Sequence, residues 1–287
     1  KAQNRFVFAC LAPAVILVVI FMVIPTIDVF KTAFFKKSNF VSDATFAGFF
    51  NFKVLFNDMR FIEAMQNTIL YVVLITIITL VLAVLFATLL TREEFVGKNF
   101  FRVIFYIPNI LSIVVIVGIF SAIYQPTNGI LNTFFGMIGL SSLQQQWMGN
   151  PAVINYSIIG ALVWQAIGYY MVMHVASIDG ISQEVYEAAS IDGATGVQKF
   201  FKITIPLLRR SIGTTYILSL SGTINLSFTL SNVMTSGGPN GASSVLLQYM
   251  YTQGMRNANF GYAMAIAMFT LGLAIVLAMI SKKISSE

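Results

Sequence analysis

Residues 64–91 read AMQNTILYVVLITIITLVLAVLFATLLT, with no Asp, Glu, Lys or Arg among them. About 20 predominantly apolar residues carry a helix across the hydrocarbon core of a bilayer, so this run suffices for one crossing. Residues 6–27, 103–178, 211–255 and 257–281 are equally free of those four residue types. The composition agrees, being 57% hydrophobic and only 10% charged, where a soluble domain carries about 25% charged residues. So little charge cannot cover a folded surface in water. The chain reads as an all-α polytopic membrane protein. Disorder, a collagen-like chain and a secreted disulfide scaffold are excluded, and the runs are too long for the short alternating segments of a membrane β-barrel.

The charge-free stretches divide into six expected transmembrane helices, at about 6–27, 67–90, 103–124, 152–177, 211–233 and 260–280. Residues 125–146 are too polar for lipid, and the Gly/Pro/Ser/Asn-rich residues 235–244 form a loop. The first span is too long and too poorly flanked by small residues for a cleaved signal peptide. The whole chain, 1–287, is expected to be one transmembrane domain. With both termini inside, the inner segments hold Lys1, Arg5, Arg92, Lys98, Arg102, Lys199, Lys202, Arg209, Arg210, Lys282 and Lys283, which is eleven. The outer segments hold Lys31, Lys36, Lys37, Lys53, Arg60 and Arg256, which is six. The excess of Lys and Arg marks the cytoplasmic side, although five of the six outer cations crowd into the first outer loop. The net charge of +6 is scattered through loops and forms no stripe for nucleic acid.

Several chemistries are absent from the sequence. The single Cys10 rules out internal disulfides and a Cys-based metal site, and the lone His174, near the inner end of the fourth helix, reads as a packing or interfacial residue. No Gly-x-x-x-x-Gly-Lys-Ser/Thr loop occurs; the nearest fragment, Gly97-Lys98-Asn99, lacks the first glycine. If ATP drives this protein, another chain binds it. Helices two to six also lack the acidic and basic groups that ion-coupled carriers place at membrane depth, which counts against a stand-alone secondary transporter.

The loop between the fourth and fifth helices carries the most information. Residues 178–206 read IDGISQEVYEAASIDGATGVQKFFKITIP. Ser182 is placed to cap a short helix, Glu184 suits its first turn, and Gly193 suits its end. Ala188 and Ala189 are small enough for another surface to approach. A second amphipathic helix with Val197, Phe200 and Phe201 follows, and Pro206 is expected to break it. The four acids Asp179, Glu184, Glu187 and Asp192 precede the four bases Lys199, Lys202, Arg209 and Arg210. Such a loop either lies on the membrane or docks a soluble partner.

Glu187-Ala188-Ala189-x-x-x-Gly193, then nine residues and Ile203-x-Ile205-Pro206, resembles the EAA loop of the membrane subunits of bacterial ABC importers. Ile205 replaces the usual leucine. Gly97-Lys98-x-x-x-Arg102 with Pro108, Met234-Thr235-Ser236-Gly237-Gly238-Pro239, and Gly261-Tyr262-Ala263-x-Ala265 resemble stretches of the sugar-importer permeases, most nearly the MalF-type half of a maltose or multiple-sugar transporter. The resemblance implies a type I importer permease fold in the bacterial cytoplasmic membrane. It implies a second, unlike permease, two ATPase subunits that bind ATP and magnesium, an extracellular solute-binding protein, and no covalent chemistry or cofactor in this chain. Glu187, Ala188, Ala189, Gly193, Ile203 and Pro206 would then couple to the ATPases through the cytoplasmic loop 178–210.

A neutral saccharide needs hydroxyl-matching donors and acceptors and aromatic faces for its C–H surface. The fourth helix offers Trp164, Gln165 and Tyr169; the fifth offers Ser219, Thr223, Asn225 and Ser227. The same polar residues also serve helix–helix hydrogen bonding. A polyol, a glycerol derivative or an amino acid is the alternative solute, and a phosphorylated one would want cations that these helices lack.

Overall fold

The computed structural model describes residues 2–39, 41–91 and 95–286. Helix α1 (Ala2–Val18) passes through a π turn, Val19–Val23, into α2 (Ile24–Thr32). A two-residue hairpin follows, with β1 (Phe35–Lys36) antiparallel to β2 (Thr45–Phe46), Phe35 opposite Phe46 and Lys36 opposite Thr45. Then come α3 (Phe50–Leu55), α4 (Met59–Leu90), α5 (Lys98–Ile110), α6 (Ile113–Ile123), α7 (Ile130–Met137) and α8 (Ile154–Asp179). The remainder is α9 (Gln183–Ile191), α10 (Gly196–Lys199), α11 (Ile205–Met234), α12 (Leu246–Tyr251) and α13 (Phe260–Ser286).

Among the described residues, four helices are long and apolar enough to cross a membrane: Ala9–Thr32, α4, α8 and Phe260–Ile280. The expected span at 103–124 is not one helix. It is the pair α5 and α6, bent by 105°. Leu111 and Ser112 are extended there, and Ser112 restarts the helix by accepting from the Val115 N–H at 3.4 Å. The fifth expected span falls on α11, which is 30 residues long but diluted by Ser, Thr and Asn. Pro206 does not break the chain before it. Helix continues from α10 through a π turn, Phe200–Thr204, into α11, with Pro206 in the first turn. A missing N–H is tolerated at such a position, and the wider turn precedes it.

The described residues fall into two compact units. One holds the chain up to Ile62 together with Tyr249–Leu273. In it the buried Asn51 donates to the Ala33 and Phe35 carbonyls at 2.8 and 3.0 Å. Gly261 lies so near the hairpin that a Cβ there would stand 2.0 Å from the Phe35 oxygen, and its N–H donates to the Lys37 carbonyl. Asp58 Oδ2 accepts from the Tyr249 and Tyr262 hydroxyls, each at 2.6 Å.

The other unit holds Glu63–Gln248 and the chain from Ala274. Lipid gives apolar helices no hydrophobic reason to associate, so close packing and interhelical hydrogen bonds hold them. Tyr71, Ile116, Ile154, Ile158, Leu162 and Leu230 fill one core, and Ala83, Ala87, Met171, Val175 and Leu208 fill a second. α5 lies directly on α8, where a Cβ at Gly168 would meet the Phe105 oxygen at 1.9 Å. His174 is fully buried, with Ser211 Oγ 3.3 Å from Nδ1 and Thr215 Oγ1 3.4 Å from Nε2.

Candidate functional site

Two regions gather the residues singled out in the sequence. The first is the loop after α8. No residue of α9 is fully buried, so most of this helix faces away from the body of its unit. Ser182 occupies the N-cap position without a side-chain hydrogen bond, and Glu184 lies in the first turn. At the other end Gly193 is left-handed, with φ +76°. The Ala194 N–H reaches the Ala189 carbonyl and the Gly193 N–H reaches that of Ser190, the pattern of a Schellman stop. Glu187, Ala188 and Gly193 are exposed, Ala189 is half-buried, and Ile203 and Pro206 follow on the next helical segment as half-buried and exposed residues. Among the described residues, nothing beyond its own chain neighbours lies within 4 Å of where a Gly193 Cβ would be.

The next segment opens with a capping box that the sequence reading missed. Thr195 Oγ1 accepts from the Gln198 N–H while Gln198 Oε1 accepts from the Thr195 N–H. The Thr-x-x-Gln spacing was the available signal. A cavity of about 910 Å³ separates α9 and α10 from the ends of α4 and α8, lined in part by Thr91, Lys98, Asp179, Tyr186, Glu187 and Lys199. Arg102, also passed over as a site residue, ties this end together. It donates to the Leu90 carbonyl at 3.0 Å and stands 4.0 Å from Asp179.

The second region comprises α8 and α11. α8 is mostly buried, and its exposed positions within the span fall on two faces, Tyr156, Gly160 and Trp164 on one and Tyr169, Val172 and Ala176 on another. On α11 the open stripe runs from Leu207 and Arg210 through Thr214, Leu218 and Ser221 to Asn225. The seven candidate solute residues therefore do not share one surface. Trp164, Tyr169 and Asn225 lie on open stripes, whereas Gln165, Ser219, Thr223 and Ser227 are buried within the chain. Ser219 donates to Thr76 Oγ1 at 3.1 Å, Ser227 donates to the Ile224 carbonyl, and Gln165 Oε1 is buried without a hydrogen-bond partner. Trp164 meets Phe120 edge to face, and Tyr169 meets Tyr170 in the same way. Ser221, one turn before Asn225 on the open stripe, was missed; period 3.6 counted from Asn225 would have found it.

Residues 80–286 match the family model described as the binding-protein-dependent transport system inner membrane component. The chain belongs to this family. It is 34% identical over 284 residues to the probable ABC transporter permease protein YurN of Bacillus subtilis, covering 98% of this chain and 96% of that one. It is 28% identical to the diacetylchitobiose uptake system permease protein NgcF of Streptomyces coelicolor, over 95% of this chain and 80% of the relative. The crystal structure of a bacterial ABC transporter involved in the import of the acidic polysaccharide alginate contains a chain of the same fold, with a TM-score of 0.86, 24% identity, and coverage of 99% of this chain and 96% of that one. The type I importer permease fold and the inner-membrane, multi-pass placement follow, as the EAA-type loop led one to expect. The family's marks also acquire local causes in this permease. Gly97 is left-handed ahead of α5, Arg102 closes the end of α4, and Gly237 is left-handed and crowded by Gln248.

Proposed function

We propose that this chain is one half of the membrane path of an ATP-driven importer for a neutral oligosaccharide. A second, unlike permease forms the other half, two ATPase subunits bind ATP and magnesium, and an extracellular binding protein delivers the solute. The chain makes and breaks no covalent bond and holds no cofactor of its own. The observation that carries this reading is a pairing within one membrane chain. An unburied polar helix, α9, ends at a left-handed Gly193, and open stripes on α8 and α11 offer the uncharged Trp164, Tyr169, Ser221 and Asn225, with charge only at their ends, Asp179 and Arg210. The exposed helix suits a cleft on a soluble ATPase. The uncharged residues of these stripes suit hydroxyls and apolar sugar faces. Relatives named for diacetylchitobiose uptake support the carbohydrate class.

In this reading, closure of the ATPases moves α9 through Glu187, Ala188, Ala189 and Gly193, and α8 and α11 turn their open stripes from one side of the membrane to the other. Both termini and the segments 92–102 and 178–210 face the cytoplasm. The test is uptake into proteoliposomes holding both permeases and the ATPases, with a panel of binding proteins and sugars. Uptake of a neutral oligosaccharide that requires ATP and its binding protein is the expected result. Uptake by this chain alone, without ATPases, overturns the reading.

A further inference from the structure

We infer that Tyr186 and Thr204 form the link that carries movement of α9 into α11; the inference rests on the importer reading above. Since α9 has no fully buried residue and only Tyr186 and Ala189 half-buried, packing fastens it weakly to the helices behind it. Hydrogen bonds strengthen the hold, and they close on themselves. Thr204, 2% exposed, donates its hydroxyl to the Lys199 carbonyl 3.4 Å away, five residues back. That uses its one proton, so the Tyr186 hydroxyl, 3.1 Å away, is the donor to Thr204. On the other side Lys199 Nζ donates to Ser190 Oγ at 2.6 Å, and Ser190 donates to the Tyr186 carbonyl at 2.8 Å. The circuit from Tyr186 through Thr204, Lys199 and Ser190 back to Tyr186 joins the middle of α9 to the π turn before α11.

The π turn is where such a link is needed. Its five residues, Phe200–Thr204, lack regular α-helical bonding, and Pro206 offers no N–H to restore it. A push on α9 would be absorbed by this yielding backbone unless something spans it. Thr204 is its last residue, Ile205 opens α11, and Leu208 is buried in the core one turn later. The circuit thus grips the far side of the compliant turn and makes α9 and α11 move as one lever. Tyr186 and Thr204 are positioning residues. Neither needs to touch solute or ATPase.

The experiment measures sugar taken up per ATP hydrolysed by the complete importer in proteoliposomes with sugar-loaded binding protein. A wild-type complex that does not couple the two overturns the importer reading, and the link falls with it. Where the wild type couples, Tyr186→Phe and Thr204→Val should each lower the ratio about fivefold, the equilibrium factor that loss of one such bond gives. Recovery of assembled complex should be unchanged, Thr204→Ser should retain the wild-type ratio, and the double variant should fall no further than either single one. Wild-type ratios in both single variants overturn the link while leaving the importer reading intact. A double variant whose loss is the product of the two also overturns it, because the residues would then act separately.

Discussion

Gly193 separates two causes that a loss-of-function variant usually confounds. Its backbone is left-handed, and space is open where a Cβ would stand. Within this chain any side chain there costs only the left-handed conformation, about 1–2 kcal/mol. Alanine and leucine should therefore destabilise the isolated permease by similar amounts, read as thermal unfolding in detergent. Only Gly193→Leu should abolish binding-protein-stimulated ATP hydrolysis, because only leucine fills a cleft on another chain. Equal functional loss in both variants would assign the effect to the backbone and sink the cleft. Asp58 shows a different economy. Burial works against its carboxylate, but hydrogen bonds from Tyr249, Tyr262 and the Arg60 and Phe61 N–H groups outweigh it, holding the pKa below the usual 3.8. A carboxyl depressed on folding adds stability above its unfolded pKa and loses it as pH falls through the folded one. Asp58→Asn should thus melt lower than wild type at pH 7, and the gap should narrow as pH drops below 3.8. A gap that is constant with pH would show that the charge is not what stabilises.

At the scale of elements, α11 and the residue that caps it carry a hydroxyl at every fourth position: Ser211, Thr215, Ser219, Thr223, Ser227, Ser231 and Thr235. The five between the ends are buried, and contacts run from Ser211 to Ser177, Ser219 to Thr76 and Ser231 to the Ser243 carbonyl. Such interhelical bonds average about 0.6 kcal/mol in a membrane. Ser219→Ala should therefore cost little stability and leave sugar preference alone, while Asn225→Ala on the open stripe should raise the KM for uptake several-fold. Uptake kinetics of the two variants decide it, and the reverse ranking would move the solute to the buried stripe. Hydropathy could not sort these residues, because a hydroxyl facing a sugar and one facing a helix look alike without the partner. What hydropathy did reveal was the existence of the spans. Their ends escaped it, since α4 begins at Met59 and carries Arg60 and Glu63 in its first turns. The bend after Ile110 was legible only as Ser112 preceding an apolar run, a capping signal that a continuous charge-free stretch conceals. Pro206 misled in the opposite direction, because the π turn ahead of it was invisible in residue types.

For the molecule as a whole, the hydrogen bonds of the second unit sort its loops into two ends. Arg102 reaches Leu90 and Asp179, and Ser177 reaches Ser211, so the segments after α4 and α8 and the start of α11 share one end. Asn67 binds the Ala242 and Ser244 carbonyls and Asn155, and Tyr71 binds Asn155. The start of α4, the start of α8 and the loop after α11 therefore share the other end. This pairing matches the alternation expected from charge. Counting Lys and Arg gives eleven against six, with the first outer loop dissenting. Two of its cations are held over rings, Lys36 at 3.9 Å from the Phe50 centroid and Lys37 at 5.7 Å from that of Phe260. Those side chains belong to a folded surface in the finished protein. Cysteine labelling settles the direction. The exposed Cys10 is first replaced by serine, then Ser38→Cys and Thr195→Cys are tested in intact cells and in inverted vesicles. Ser38→Cys should react with a membrane-impermeant maleimide in cells, and Thr195→Cys only in inverted vesicles. The opposite pattern would turn α9 away from any cytoplasmic ATPase and remove the basis for coupling through Glu187 and Gly193.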